Sequence, residues 1–157
     1  MNIIIKTATI DNLKNIQELN LKLFKKEFEE YDSLLNVNWT FGEFGTKYYQ
    51  DKIINDNCCV LVAVVDDNII GYLCGGITKG EEYRNLPIVA ELENIFVLND
   101  FRSKGIGTKL YNKFIEWCKI KKVGKLKVEA SVKNKLAIEF YRKNNFKDYT
   151  LILEADL

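Results

Sequence analysis

The sequence predicts a mixed-sheet α/β domain. Its 157 residues are 47% apolar and 29% charged, which suits about one domain with a core burying roughly 68–70% of the unfolded chain's surface. Short apolar and β-branched runs alternate with stretches whose apolar residues recur at helical spacing. Strand-like runs group in the middle of the chain, which favours antiparallel pairing. A later strand–helix–strand unit favours a parallel crossover.

Ile3–Ile5 is a β-branched run and reads as the first strand. Thr9 and Asp11 precede an apolar set at helical spacing, Leu13, Ile16, Leu19 and Leu23, so an N-capped helix is expected to about Glu30. Tyr31–Thr40 is polar and irregular, and a second helix is expected over Glu43–Asn55. Cys58–Val65 and Ile69–Ile77 are strand-like, separated by the hairpin signal Asp66-Asp67-Asn68. After a polar loop at Gly80–Pro87, Ile88–Leu98 reads as a strand. Gly105–Lys121 reads as a helix with Ile106, Leu110, Phe114 and Trp117 on one stripe. Leu126–Ser131 is a further strand, Lys135–Asn144 a short helix, and Tyr149–Glu154 a last strand. The expected order is β-α-α-β-β-β-α-β-α-β. Without linker, repeat or low-complexity segment, residues 1–157 are expected to form a single domain.

Composition removes several function classes. The chain carries 23 Lys and Arg against 22 Asp and Glu, a net charge of +1, so no nucleic-acid partner is expected. It has no His, which excludes Ser-His, Cys-His and His-ligated metal mechanisms; no metal is expected. Cys58, Cys59, Cys74 and Cys118 offer no C-x-x-C pair and read as buried thiols of a reducing cytosol. A covalent role for Cys118 is disfavoured, because it sits mid-helix beside the apolar stripe with no His to activate it. The opening MNIIIKTATI is too short an apolar run for a signal peptide, and no run approaches the ~20 residues of a membrane helix. No membrane partner is expected, and a cytoplasmic location is.

The most informative stretch is Val97-Leu98-Asn99-Asp100-Phe101-Arg102-Ser103-Lys104-Gly105-Ile106-Gly107-Thr108. A strand ends, a short turn follows, and two glycines open a long amphipathic helix. Unpaired N–H groups make a helix N-terminus an anion site. Gly105 and Gly107 let phosphate oxygens approach the backbone, and Arg102 and Lys104 add positive charge. A Walker A loop fails because Thr108, not Lys, follows Gly107. A dinucleotide fingerprint is weak because Leu110 stands where the third glycine is needed. An ordinary tight turn before a helix looks the same locally.

With R-x-x-G-x-G after a strand, the chain resembles the GNAT family of acyl-CoA-dependent N-acetyltransferases. Ala90-Glu91-Leu92-Glu93-Asn94-Ile95-Phe96-Val97 looks like that family's central strand. The stretch Asn134-Lys135-Leu136-Ala137-Ile138-Glu139-Phe140-Tyr141-Arg142-Lys143-Asn144-Asn145-Phe146 is similar to its N-x-x-A-x-x-F-Y-x-x-x-G-F segment. The resemblance spans Ile88–Phe146. Asn145 departs from it by replacing a glycine, but Asn is the best non-glycine residue for a left-handed cap.

The resemblance implies a GNAT-like acyl-CoA N-acyltransferase fold, whose mixed antiparallel/parallel sheet splays between the strands holding Val97 and Val128. It also implies acetyl-CoA as co-substrate. The main chain of Ile95, Phe96 and Val97 would hold the pantetheine arm as an added strand and polarise the thioester carbonyl. The turn Arg102, Ser103, Lys104, Gly105, Ile106, Gly107 and Thr108 would hold the pyrophosphate. Asn134, Ala137 and Tyr141 would also approach the coenzyme, although Asn134 reads equally as a plain helix cap.

Acetyl transfer to an amine poses two proton problems. A lysine-like ammonium of pKa ~10.4 is neutral only about once in ~2,500 at pH 7, and the leaving thiolate needs a proton or stabilisation. Glu91 and Glu93 are the base candidates. Alternate strand residues share a face, which would put them roughly 6–7 Å apart. Glu91 lies where some protein acetyltransferases of the family place their base, and Glu93 is nearer the thioester end; the choice stays open. Tyr141 is the acid candidate, since a phenol of pKa ~10 stays protonated at pH 7.

The resemblance places part of the acceptor pocket between the first two helices, here Lys25–Asp32 with Trp39 and Phe41, with Glu81 and Glu82 before the central strand. Acidic and aromatic groups there suit a cationic primary amine of a small molecule or protein, and solvated helix ends account for the same residues. Lys119, Lys121, Lys122, Lys125 and Lys127 read as a solvated basic face. The expected function is acetyl transfer from acetyl-CoA to a primary amine by direct attack in a ternary complex. The rival is a non-catalytic acyl-CoA-binding sensor or interaction domain on the same fold. A homodimer is left open.

Overall fold

The β-branched and apolar runs pair into one five-stranded sheet of order β1-β2-β3-β4-β5 in the computed structural model, which describes residues 2–157. β1 (Ile4–Thr7), β2 (Cys58–Val65), β3 (Asn68–Thr78) and β4 (Val89–Val97) are successively antiparallel. β5 (Lys125–Val128) runs parallel to β4, reached through a crossover helix. The helices are α1 (Leu13–Glu30), α2 (Glu43–Ile54), α3 (Ile106–Ile120) and α4 (Lys135–Lys143). A 3₁₀ turn at Ile10–Asn12 leads into α1, which begins at Leu13, the first residue of the expected apolar set.

Strand alternation sends side chains to two cores. Leu61, Leu73, Ala90 and Leu92 pack with Leu110, Phe114 and Tyr141 of α3 and α4. Val60, Val62, Tyr72 and Phe96 pack with Ile16, Leu19 and Tyr49 of α1 and α2. Asp66 and Asp67 both have positive φ (47° and 62°), the backbone of a two-residue hairpin. Asn68, expected in the turn, therefore begins β3.

Besides a register shift between Ala63 and Val64 in the β2–β3 ladder, two irregularities shape the sheet near the end of β4. In the β3–β4 ladder Cys74 faces Asn94 and Gly75 faces Leu92, leaving Glu93 as the extra residue of a bulge. Gly75 is required there, because a Cβ would lie 2.5 Å from the Glu91 carbonyl oxygen and 2.8 Å from the Phe114 ring. The parallel ladder stops at Leu92↔Val128, while β4 continues to Val97. The last five residues of β4 thus have an open edge.

Two strand expectations are corrected. β5 ends at Val128 rather than Ser131, and Tyr149–Glu154 forms no strand. Its side chains are exposed, so no burial offsets the entropy of ordering a ladder. Tyr149 is held by the Arg84 guanidinium, 4.2 Å over its ring. Asn145 behaves as expected: its φ is 68°, and the turn brings Phe146 against the rings of Tyr141 and Tyr111.

Candidate active site

At the end of β4 the chain makes a 3₁₀ turn, Asn99–Phe101, and then enters α3 through Ser103 and Gly105, both left-handed (φ 58° and 75°). Gly105 is the N-cap and offers no side chain to the first-turn N–H groups of Ile106, Gly107 and Thr108. A Cβ built at Gly105 or Gly107 would meet no atom within 4 Å. The turn is therefore an uncapped, unobstructed set of donors, suited to a pyrophosphate. The neighbouring cations are folded back onto the main chain. Arg102 Nε donates to the Val97 carbonyl (2.8 Å), with its guanidinium 5.1 Å over the Phe96 ring, and Lys104 Nζ donates to the Asp100 carbonyl (2.8 Å).

The open edge of β4 leads into this turn. The Leu98 N–H donates to the Ile70 carbonyl across the sheet (2.9 Å), so alternation turns Phe96 toward β3 and the polar groups of Ile95 and Val97 outward. Val97 lends its carbonyl to Arg102. The Phe96 ring packs under α1, so the outward main chain in Ile95–Val97 belongs to its two neighbours.

Tyr141 lies across this gap on α4. Its side chain is in the core beside Phe140 and Phe146, with only 8% exposure. Burial, and next the Glu27 carboxylate, push its phenol up to about 12, so it holds its proton throughout the neutral range. Asn134 caps α4, its side chain accepting the Ala137 N–H (3.2 Å). That bond fits the cap reading and leaves the Asn134 amide nitrogen to other partners.

Glu91 and Glu93 lie on the sheet face under α1 and α2, opposite in sense to Ala90 and Leu92. Their environments differ. Glu93 accepts from Tyr48 OH and pairs with Lys52 Nζ at 2.6 Å, both side chains about one-fifth exposed. Burial acts to lower the Lys52 pKa, but the hydrogen bond and charge of Glu93 outweigh it and hold the ammonium above its ordinary value. Glu91 faces Lys127 on β5 at a looser 4.0 Å, while Lys127 bonds Glu129 at 2.8 Å. Burial raises the Glu91 pKa, and Lys127 only partly offsets this.

Beside Glu93 the bulge turns Asn94 to the same face, into a polar cluster absent from the sequence reading. Asn94 Oδ1 accepts from Tyr49 OH (2.7 Å), Tyr72 OH (3.2 Å) and Asn20 Nδ2 (3.3 Å), and Thr40 Oγ1 donates to Asn20 Oδ1 (2.7 Å). One signal was available: Asn20, four residues after Ile16, is a polar residue on the buried stripe of α1.

A cavity of about 580 Å³ lies between the end of α1 (Lys26, Glu29, Glu30) and the end of β4 (Phe96, Asn99, Arg102). Trp39 stacks on Phe24 at 5.7 Å and meets Tyr48 and Tyr49 edge-on, whereas Phe41 is exposed. Glu81 and Glu82 pair locally with Arg84 (3.5 Å) and Lys79 (2.8 Å). Cys118 is buried and its thiol is pushed up to about 11, so it is neutral rather than nucleophilic. No helix among the described residues is long and apolar enough to cross a membrane.

A splayed parallel strand pair beside an uncapped helix N-terminus defines an acyl-CoA transferase type of fold. The family described as acetyltransferase (GNAT) matches residues 16–146, and the chain belongs to it. It is 33% identical over 155 residues to an uncharacterized N-acetyltransferase of Methanocaldococcus jannaschii, covering 95% of this chain and 65% of that protein. It is 42% identical over 149 residues to streptothricin acetyltransferase A of Bacillus subtilis, covering 85% of this chain and 84% of that one. The aminoglycoside N-acetyltransferase AAC(6')-Iy, solved in complex with CoA, shares the fold with a TM-score of 0.77 at 17% identity, covering 99% and 95% of the two chains.

Proposed function

We propose that residues 1–157 act as one catalytic domain that transfers the acetyl group of acetyl-CoA to a primary amine of a cationic small molecule, by direct attack in a ternary complex. The observation that carries this reading is the continuity between the open edge of β4 at Ile95–Val97 and the unobstructed first turn of α3. A pantetheine arm fits the first as an added strand, and a pyrophosphate fits the second. The match to a streptothricin acetyltransferase supports a cationic antibiotic or a similar polyamine as acceptor.

Acetyl-CoA supplies an activated acyl thioester. The outward N–H groups of Ile95 and Val97 are placed to polarise its carbonyl. Tyr141, kept protonated by burial, donates to the departing thiolate. Glu91 takes the amine proton through water; Glu93, held by Lys52 and Tyr48, anchors α2 to the bulge instead. The attacking nitrogen forms the new bond to the acetyl carbon as the carbon–sulfur bond breaks, and the proton lost by nitrogen balances the one gained by sulfur.

A thiol-release assay with acetyl-CoA against streptothricin, aminoglycosides and polyamines tests the reading. Release that requires an amine is the expected result. Coenzyme A binding without release on any amine would favour a sensor domain.

A further inference from the structure

The core under α1 and α2 holds polar side chains where apolar ones would fill the space. Asn20, Thr40, Tyr49 and Tyr72 are wholly buried, and they come from α1, the 3₁₀ turn Trp39–Phe41, α2 and β3. Among the described residues no buried side-chain polar atom lacks a partner. Tyr49, Tyr72 and Asn20 all donate to one atom, Asn94 Oδ1, and Thr40 holds Asn20 in place. Asn94 Nδ2 in turn donates to the Glu93 carbonyl. The Asn94 side chain is therefore tied to two helices and a strand, and clipped onto its own backbone.

A satisfied buried cluster adds little net stability over an apolar filling; it adds a single geometry. Asn94 sits where geometry matters. It directly follows Glu93, the unopposed residue of the bulge, where the ladder does least to fix the chain. The next peptide unit carries the Asn94 carbonyl and the Ile95 N–H in one plane, so the Asn94 dihedrals aim that N–H. Val97 is fixed separately, through the Leu98 bond to Ile70 and the Arg102 bond to its carbonyl.

We infer that Asn94 is a positioning residue for acyl transfer: its buried tether sets the bulge so that the Ile95 N–H points at the thioester carbonyl. This rests on the acetyltransferase reading and adds to it the side chain that aims the polarising donor.

The test is the 13C NMR shift of acetyl-CoA labelled at the thioester carbonyl, bound to the protein without any acceptor. Asn94→Leu removes the tether at similar volume, and Tyr49→Phe keeps the ring and removes its shortest bond. Ile16→Val, in the same core but without a polar atom, controls for lost stability. Tm and coenzyme A affinity by calorimetry accompany each variant. Polarisation should move the parent's bound carbonyl downfield of free acetyl-CoA. Asn94→Leu should lose most of that displacement and Tyr49→Phe part of it, with parental coenzyme A affinity. Ile16→Val should keep all of it. If Asn94→Leu does not fold, Tyr49→Phe decides alone. A parental displacement in the folded tether variants overturns the inference, as does an equal loss in Ile16→Val. A parent that binds acetyl-CoA with no displacement removes the polarising N–H and the inference together, whereas a parent that binds no acetyl-CoA sinks the transferase reading itself.

Discussion

Tyr141 and the two strand glutamates take different protonation behaviour and partners from their surroundings. Tyr141 is buried among aromatic rings with its pKa pushed to about 12, so Tyr141→Phe keeps the packing and removes only the proton donor. That variant should hold its Tm and coenzyme A affinity while kcat falls about 10²–10⁴-fold, the usual worth of one general acid. A fully active Phe variant would reduce Tyr141 to a packing residue. Glu91 has its pKa raised by burial, so its base form is lost below a pH higher than the ordinary carboxylate value. Activity should fall as pH drops through that raised pKa, and Glu91→Gln should remove this limb and recover part of the rate at high pH, where neutral amine is plentiful. Glu93→Gln should keep the limb but strand the Lys52 ammonium, lowering stability on the order of 1–3 kcal/mol. Parental profiles in both variants would leave proton removal to water and main chain. The candidates were legible as residue types on one strand face. The different partners of Glu91 and Glu93 were not, because Lys52 and Tyr48 come from a helix about 40 residues earlier in the chain, a distance no strand pattern encodes.

At the scale of elements, the turn from β4 into α3 was the most legible feature, because glycine spacing and strand–helix punctuation are local signals. The bulge at Glu93 was not legible. Nothing in Leu92-Glu93-Asn94 shows that one residue will go unopposed; that depends on Gly75 in the facing strand and its contact with Phe114. The Tyr149–Glu154 expectation shows the converse: an apolar run was present at Leu151–Leu153, but its side chains stay exposed and no ladder forms. The open turn carries its own prediction. A side chain at Gly107 meets nothing within 4 Å, so Gly107→Val should fold with Tm within a few degrees of the parent and yet bind coenzyme A at least tenfold more weakly by calorimetry. Undiminished affinity would place the pyrophosphate elsewhere.

Over the whole molecule, the two cores divide the work. The α3 and α4 side holds the strand pair that splays and carries Tyr141; the α1 and α2 side carries the carboxylates and the cavity. The chain spans about 65% of the length of the Methanocaldococcus relative and 84% of the streptothricin acetyltransferase. The most direct measurement is the stoichiometry of the reaction with streptothricin: thiol released and acetylated amine formed, the latter by mass spectrometry, in one time course. One acetylated amine per thiol, with neither appearing when the amine is omitted, is the predicted result. Thiol released without an acetylated amine, or coenzyme A bound with no thiol released from any amine, would contradict it.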